Sequence, residues 1–114
     1  MPALDPDKLA ELTSYYGAGF LAELAGLYVE DSQRLAALLE QGLRTGDRED
    51  VTRASHDLKS TSAQVGANRV SQAASDLEQA VRRGDTLEQL RALEAVFTPL
   101  FREALAEAEL LAKG

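Results

Sequence analysis

Apolar residues recur along the chain at intervals of three and four, which places them on one face of an α-helix. No alternating apolar and polar run of strand length occurs, and clusters of Val, Ile, Thr or aromatic residues are few. Glycines interrupt the periodic segments at Gly17, Gly19, Gly46, Gly66 and Gly84. The pattern predicts an all-α fold whose helices are separated at these glycines.

Two helices are predicted before Gly46. Asp5 as N-cap and Pro6 at the first helical position begin a short helix that runs to about Tyr15. Tyr15 and Tyr16 are expected to pack at one end of the fold. A long amphipathic helix follows, and its apolar spacing is marked by Phe20, Leu24, Leu27, Asp31, Leu35, Leu38, Leu39 and Leu43.

Three further segments follow, with N-caps predicted at Asp47, at Asn68 and at either Asp85 or Thr86. Each of the first two has one stripe of apolar or small residues, which we expect to face the core. The stripes consist of Val51, Ala54, Ser55, Leu58, Ser62 and Val65 in the third helix and of Val70, Ala73, Ala74, Leu77, Ala80 and Val81 in the fourth.

The fifth segment contains a proline, Pro99, which predicts a kink or a break after Phe97, with Thr98 able to cap a new helix. The remaining tail is expected to continue as helix. Short turns join the four substantial helices, so neighbours should alternate in direction. We therefore predict an antiparallel up-down-up-down four-helix bundle with a short additional N-terminal helix, formed by residues 1–114 as a single domain.

Composition excludes several classes of function. The chain has no cysteine, which removes disulfides and thiolate chemistry, and its net charge of −7 disfavours nucleic-acid binding. It has neither a long uncharged apolar run nor a basic N-terminal leader, so we expect a cytoplasmic protein that does not enter a membrane. Without a GxxxxGK[ST] phosphate loop, it is not expected to bind ATP and phosphorylate itself.

His56 is the single histidine, and most of the remaining candidate chemistry depends on it. At about 100° per residue, it points roughly 150° away from the centre of its helix's apolar stripe. We therefore expect the imidazole to face solvent, where it is mostly neutral and nucleophilic at cytoplasmic pH. An ordinary surface histidine is the alternative.

The residues one and two turns from His56 distinguish these two interpretations. Thr52, Ser60 and Ala63 share its exposed face and are small, so a bulky partner could approach the ring. Lys59 lies one turn away, where its ammonium could neutralise a phosphoryl group on the imidazole. This arrangement favours a docking surface for phosphoryl transfer.

The stretch SHDLKSTSAQVGA at 55–67, followed by LEQAVRRGD at 77–85, closely resembles the signature of histidine-containing phosphotransfer domains of bacterial phosphorelays. The resemblance covers the whole chain in helix number and length. It implies that His56 accepts a phosphoryl group from a receiver-domain aspartate and transfers it to another. It also implies that Leu58 lies in the core and that Lys59 stabilises the phosphate.

Further site residues follow from the same resemblance. Gly66 matches the glycine that closes the histidine helix, and Glu78 and Arg82 are expected to project outward beside that helix, with Arg82 facing the receiver. Gln64 is a weaker candidate contact. Ser60 stands where many members have glycine, and its small side chain keeps the approach open and could donate to a phosphoryl oxygen.

The resemblance also implies a set of partners. These are receiver domains of response regulators or hybrid histidine kinases, which bind transiently to a monomeric phosphocarrier without autokinase activity. No cofactor is expected on this chain, and magnesium would belong to the receiver. Docking would combine the charges around His56 with an apolar patch formed by Leu4, Leu9, Leu12 or Tyr16.

Two other functions compete with the phosphocarrier. A helical adaptor could keep the bundle and bind a partner without phosphate chemistry, although the intact His56 and Lys59 argue against it. A carboxylate-bridged metal bundle would need Glu-x-x-His pairs directed into the core, and the chain has none. Glu49, Asp50 and Asp57 are interpreted as a solvated acidic face.

Overall fold

Five α-helices account for nearly all of residues 2–114, the part of the chain that the computed structural model describes, and no β-strand occurs within that range. Helices α2, α3, α4 and α5 pack in a closed ring in which α5 returns to α2, while α1 packs on α2. The prediction of an all-α fold is confirmed. The helices are α1 (Pro6–Tyr16), α2 (Ala18–Thr45), α3 (Arg48–Gln64), α4 (Asn68–Arg83) and α5 (Leu87–Ala112).

Local chemistry at the helix ends agrees with the sequence at most positions. The side chains of Asp5, Asp47 and Thr86 accept hydrogen bonds from backbone N–H groups of the first turns of α1, α3 and α5. Gly46 and Gly84 close α2 and α4 in the left-handed conformation, with φ of 77° and 86°. These signals depend on adjacent residues only, which is why the sequence predicts them.

The predicted stripes of α3 and α4 are confirmed, because all twelve residues are buried. The two helices also pack closely against their neighbours. A Cβ on Gly42 of α2 would lie 2.9 Å from Cγ2 of Val51, so only glycine allows α2 to approach the start of α3 this closely. The core therefore fixes α3 from the side opposite to its exposed face.

The predicted inward face of α2 is confirmed at Leu24, which packs against the core, and is wrong at Phe20, Leu27 and Asp31, which are exposed. Leu27 is 57% exposed, whereas Tyr28 is buried and its hydroxyl lies 3.1 Å from Oγ of Ser62. Extending the helical period backwards from Leu35 leads to Ser32 and Tyr28 rather than to Asp31 and Leu27. The hydrogen bond with Ser62 compensates the tyrosine hydroxyl for its burial.

Asn68 does not cap α4. The N-cap is Ala67, and no side chain caps this helix end. The chain turns at Gly66, and the Ala67 N–H donates to the Ser62 carbonyl at 2.9 Å, so Asn68 is already the first helical residue. Its side-chain amide donates instead to Oδ2 of Asp5 at 3.4 Å.

Pro99 does not break α5, which continues to Ala112, so the expected break and new cap at Thr98 are wrong. Proline removes one hydrogen bond to the carbonyl four residues earlier, here that of Ala95. Pro99 and Ala95 are both exposed, so water can hydrate that carbonyl. Phe97 and Phe101 are buried on the other side of the helix, with ring centroids 5.4 Å apart, and this packing keeps α5 continuous.

Tyr15 and Tyr16 do not pack at an end of the bundle, since they are 77% and 64% exposed. Their rings contact each other and Phe20, with the Tyr16 and Phe20 centroids 4.6 Å apart. The position of a Cβ on Gly26 lies 3.9 Å from Ala112, near the end of α5. The first turns of α2 therefore extend past the end of α5, and the exposed rings of Tyr15, Tyr16 and Phe20 contact one another on the surface.

Glu94 of α5 predicts a pH dependence of stability. Burial raises its pKa, the neighbouring carboxyl of Glu40 on α2 raises it further, and Arg91 opposes them, which leaves a pKa of about 7. Because this value exceeds the ordinary 4.5, the folded state retains a proton that the unfolded chain has lost, and stability falls as pH rises from about 5 to 8. We expect the Glu94 contribution to be on the order of 1 kcal/mol after solvent screening.

Thermal or urea unfolding of wild type and Glu94→Gln at several pH values measures this contribution. The variant should lose less stability than wild type over that range, because the amide does not titrate. Glu103→Gln, an exposed position on the same helix, is the control and should follow wild type. Parallel curves for wild type and Glu94→Gln would contradict the prediction.

Candidate functional site

His56 lies on the exposed side of α3, beside α4. Its neighbours Ser55 and Leu58 are fully buried and hold this part of α3 against the core. The Ser55 hydroxyl donates to the Val51 carbonyl at 2.7 Å, which satisfies its buried polar atom. The His56 side chain is 53% exposed, so the predicted solvent-facing position is confirmed.

The His56 ring is oriented by an acid from the adjoining helix. Nδ1 of His56 lies 2.8 Å from Oε2 of Glu78 on α4. An ionised carboxylate can only accept a hydrogen bond, so this contact assigns the proton to Nδ1. The lone pair of the neutral ring then lies on Nε2, the nitrogen that a partner's phosphoryl group would have to reach.

Glu78 is buried, with only 5% of its surface exposed, and this overturns the expectation that it projects outward. Leu77 lies on the inward face of α4, and the packing of α3 against α4 also buries the next residue, Glu78. A single helix angle could not show this. No signal within α4 indicated the burial, because Lys59 lies 19 residues earlier on another helix and only Arg82, four residues later, is near Glu78 in the sequence.

Three partners compensate Glu78 for its burial. Lys59 Nζ donates to Oε1 at 2.8 Å, and Nη2 of Arg82 donates to Oε2 at 2.9 Å, beside the His56 contact. Burial raises the pKa of Glu78, but hydrogen bonds from Lys59, Arg82 and His56 outweigh it and lower the pKa to about 2. Glu78 is therefore ionised at neutral pH.

The site thus brings together one nucleophilic nitrogen, one carboxylate and two cations. With a neutral ring, Lys59 and Arg82 exceed Glu78 by one positive charge on a chain whose total charge is −7. Their side chains are 35% and 61% exposed, so a docked anion can reach both. The arrangement can accept and stabilise a phosphoryl group at Nε2.

The other predicted residues of α3 lie along the same exposed side. Ser60 is exposed, and its hydroxyl donates to the His56 carbonyl oxygen at 3.4 Å. Ala63 and Gln64 are exposed farther toward the end of the helix. Gln64 borders a depression of about 100 Å³ between α2 and α3, next to Leu27.

Gly66 lies in the turn after α3, separate from His56 and the other site residues. It is buried with φ of 75°, and its carbonyl accepts from the Asp5 N–H at 2.9 Å. A Cβ here would lie 3.0 Å from Cβ of Lys8. Gly66 therefore joins the N-terminal segment to the turn after α3, which itself ends at Gln64.

The expected apolar docking patch requires one correction. Leu4 is 1% exposed and cannot contact a partner, because the N–H groups of Ala3 and Leu4 bind the Glu107 carboxylate at 2.6 and 3.0 Å and hold Leu4 in the core. Leu9 is partly buried against the same core. Tyr16 remains exposed.

Residues 2–114 contain neither a metal-binding cluster nor a membrane-spanning helix. No group of three or more His, Cys, Asp or Glu side chains in this range is arranged to hold a metal ion. Within the same range, no helix is long and apolar enough to cross a membrane.

Comparisons with known proteins show the family of the chain. The crystal structure of histidine-containing phosphotransfer protein B (HptB) from Pseudomonas aeruginosa PAO1 is similar to this chain, with a TM-score of 0.79 and 28% sequence identity. The match covers 98% of this chain and 92% of that one. The comparison with curated proteins gives no match. The family model for the Hpt domain matches residues 23–110, and since that is most of the chain, the chain belongs to the Hpt domain family.

Proposed function

We propose that Nε2 of His56 accepts a phosphoryl group from the aspartate of one receiver domain and donates it to the aspartate of another. Hpt domains carry out histidine phosphotransfer in phosphorelays and have receiver domains as partners. The observation that carries the assignment to His56 is its contact with Glu78: Nδ1 lies 2.8 Å from Oε2 of an ionised carboxylate, which favours the tautomer with its lone pair on Nε2, and the side chain is 53% exposed.

The proposed transfer is an in-line displacement at phosphorus. The Nε2 lone pair attacks the aspartyl phosphate, the new N–P bond forms as the P–O bond breaks, and the electron pair returns to the aspartate carboxylate. Lys59 and Arg82 supply positive charge beside the moving phosphoryl group. We propose that magnesium is bound by the receiver, and that this chain has no ATP-dependent autokinase activity.

Small side chains support direct access by a receiver. Ser60 and Ala63 are exposed on the same helix as His56, and both side chains are small. Gln64, at the end of this row, is proposed as a further partner contact. The Ser60 hydroxyl is proposed to donate to a phosphoryl oxygen.

The surrounding architecture forms part of the same proposal. We propose that residues 1–114 act as one domain and that α2 to α5 run up-down-up-down, which the short connections between consecutive helices support. The carrier is proposed to act as a monomer in the cytoplasm, where it binds each receiver transiently.

Phosphotransfer profiling tests the function. The protein is incubated with each phosphorylated receiver domain of its own organism, and labelling of the chain is measured over time. We expect rapid labelling from a few receivers and none of His56→Gln, which keeps a polar side chain but has no nucleophilic nitrogen. Absence of labelling by every receiver, or equal labelling of His56→Gln, would refute the proposal.

A further inference from the structure

The contact between Nδ1 of His56 and Glu78 has a consequence for the phosphorylated ring. We propose that Glu78 keeps the proton on Nδ1 throughout the phosphorylation cycle, so that the carried group is a phosphoimidazolium rather than a neutral phosphoimidazole. This inference rests on the proposed function, because it concerns His56 phosphorylated at Nε2. Glu78 acts here as a positioning residue, since it touches the ring and not the phosphorus.

The proton balance follows from the tautomer. Before transfer, the neutral ring has its proton on Nδ1 and its lone pair on Nε2. Attack on phosphorus uses that lone pair and releases no proton, so the product has Nε2 bonded to phosphorus, Nδ1 still protonated and a positive ring. In the reverse step, the N–P electron pair returns to Nε2 and restores the same neutral ring.

Loss of the Nδ1 proton would create an unfavourable contact. The Nδ1 lone pair would then face Oε2 of Glu78 at 2.8 Å, and two acceptors would meet without a hydrogen between them. Lys59 and Arg82 hold Glu78 in its ionised form, which opposes transfer of the proton to the carboxylate. The positive ring, in contrast, pairs with the carboxylate in a charge-assisted hydrogen bond.

The remaining charged groups do not provide an alternative partner for the ring. Arg53 and Asp57 lie beside His56 on α3, and both are exposed. Helices α2 and α5 pack on the other sides of α3 and α4. Within residues 2–114, neither of them brings a charged group into contact with His56 or Glu78.

A protonated ring changes the reactivity of the phosphorylated protein. When phosphoryl leaves a phosphoimidazolium, the departing group is a neutral imidazole, which leaves more readily than an anionic one. No general acid is then needed on the receiver. We therefore expect transfer from wild-type protein to be independent of pH over the range in which Glu78 retains the Nδ1 proton.

Ring titration tests the inference directly. His56 is phosphorylated chemically with phosphoramidate, and the ring nitrogens are followed by ¹⁵N NMR against pH in wild type, Glu78→Gln and Asp57→Asn. We expect the midpoint for loss of the Nδ1 proton to fall by about 1 to 3 pH units in Glu78→Gln, which removes the charge and keeps an acceptor oxygen. Asp57→Asn removes an equal, adjacent charge and should move the midpoint by less than about half a unit.

Equal midpoints in wild type and Glu78→Gln would overturn the inference. If Glu78→Gln does not fold, wild type is compared with N-acetylated phosphohistidine, and the inference requires a midpoint about 1 to 3 units higher in the protein. Because phosphoramidate needs no receiver, failure of the proposed function would appear as absent labelling by receivers. Failure of this inference would appear as an unshifted titration.

The pH profile of transfer to a receiver gives a second readout. Above its lowered midpoint, Glu78→Gln should lose rate about tenfold per pH unit relative to wild type, since only the protonated fraction reacts. A purely structural effect would lower the rate by the same factor at every pH. Parallel profiles would therefore contradict the inference.

Discussion

Replacing Lys59 with alanine is expected to slow phosphoryl transfer to and from His56 by about 100-fold, the usual cost of removing one charged donor from a transition state. Lys59 is 35% exposed, and its ammonium is held 2.8 Å from Glu78, beside the ring that would carry the phosphoryl group. Charge builds up on the phosphoryl oxygens during transfer, and the lysine neutralises part of it. Rates are measured in both directions with a cognate receiver.

Arg53→Ala is the matched control for Lys59→Ala. Arg53 also lies one turn from His56 on α3, but it pairs with Glu49 at 3.9 Å and does not contact Glu78. Its removal changes the net charge equally and should alter the rate by less than about threefold, because an exposed charge is screened. Equal rates for Lys59→Ala and wild type, or equal losses in the two variants, would show that Lys59 has no specific role.

The helices that carry the site were predictable because their sequence patterns are local. The buried stripes of α3 and α4 repeat at helical spacing, and the caps at Asp47 and Thr86 need only residues within the next turn. His56 points to solvent as a direct result of this periodicity. The angle of about 100° per residue within α3 was sufficient to predict that His56 faces solvent.

Glu78 could not be placed in the same way, because its position depends on two helices together. The α4 sequence alone puts Glu78 next to an inward leucine, at the edge of the buried face. Only the packing of α3 against α4 shows that this edge is covered and that Lys59, Arg82 and His56 converge there. The sequence therefore predicted the histidine and its cations, whereas the carboxylate that joins them required the structure.

Tertiary packing also explains where local signals failed. Pro99 carries a strong breaking signal, yet the buried rings of Phe97 and Phe101 keep α5 continuous. Here contacts made by the folded core outweigh a preference read from adjacent residues. Tyr28, in contrast, follows the helical period of α2, and its contact with the buried Ser62 of α3 satisfies its hydroxyl.

Truncation of Leu58 to alanine is expected to cost about 3 kcal/mol of unfolding free energy and to lower the melting temperature by roughly 10 to 15 °C. Leu58 is fully buried two residues after His56, so a cavity here loosens the part of α3 that holds Nδ1 at 2.8 Å from Glu78. The rate of phosphoryl transfer should fall along with stability.

Two variants serve as controls for Leu58→Ala. Leu58→Met nearly conserves volume and should cost less than about 1.5 kcal/mol of unfolding free energy. Leu27→Ala, at a 57% exposed position, should change stability little. Calorimetry and urea unfolding measure these differences, and a loss below about 1 kcal/mol for Leu58→Ala would contradict this packing of α3.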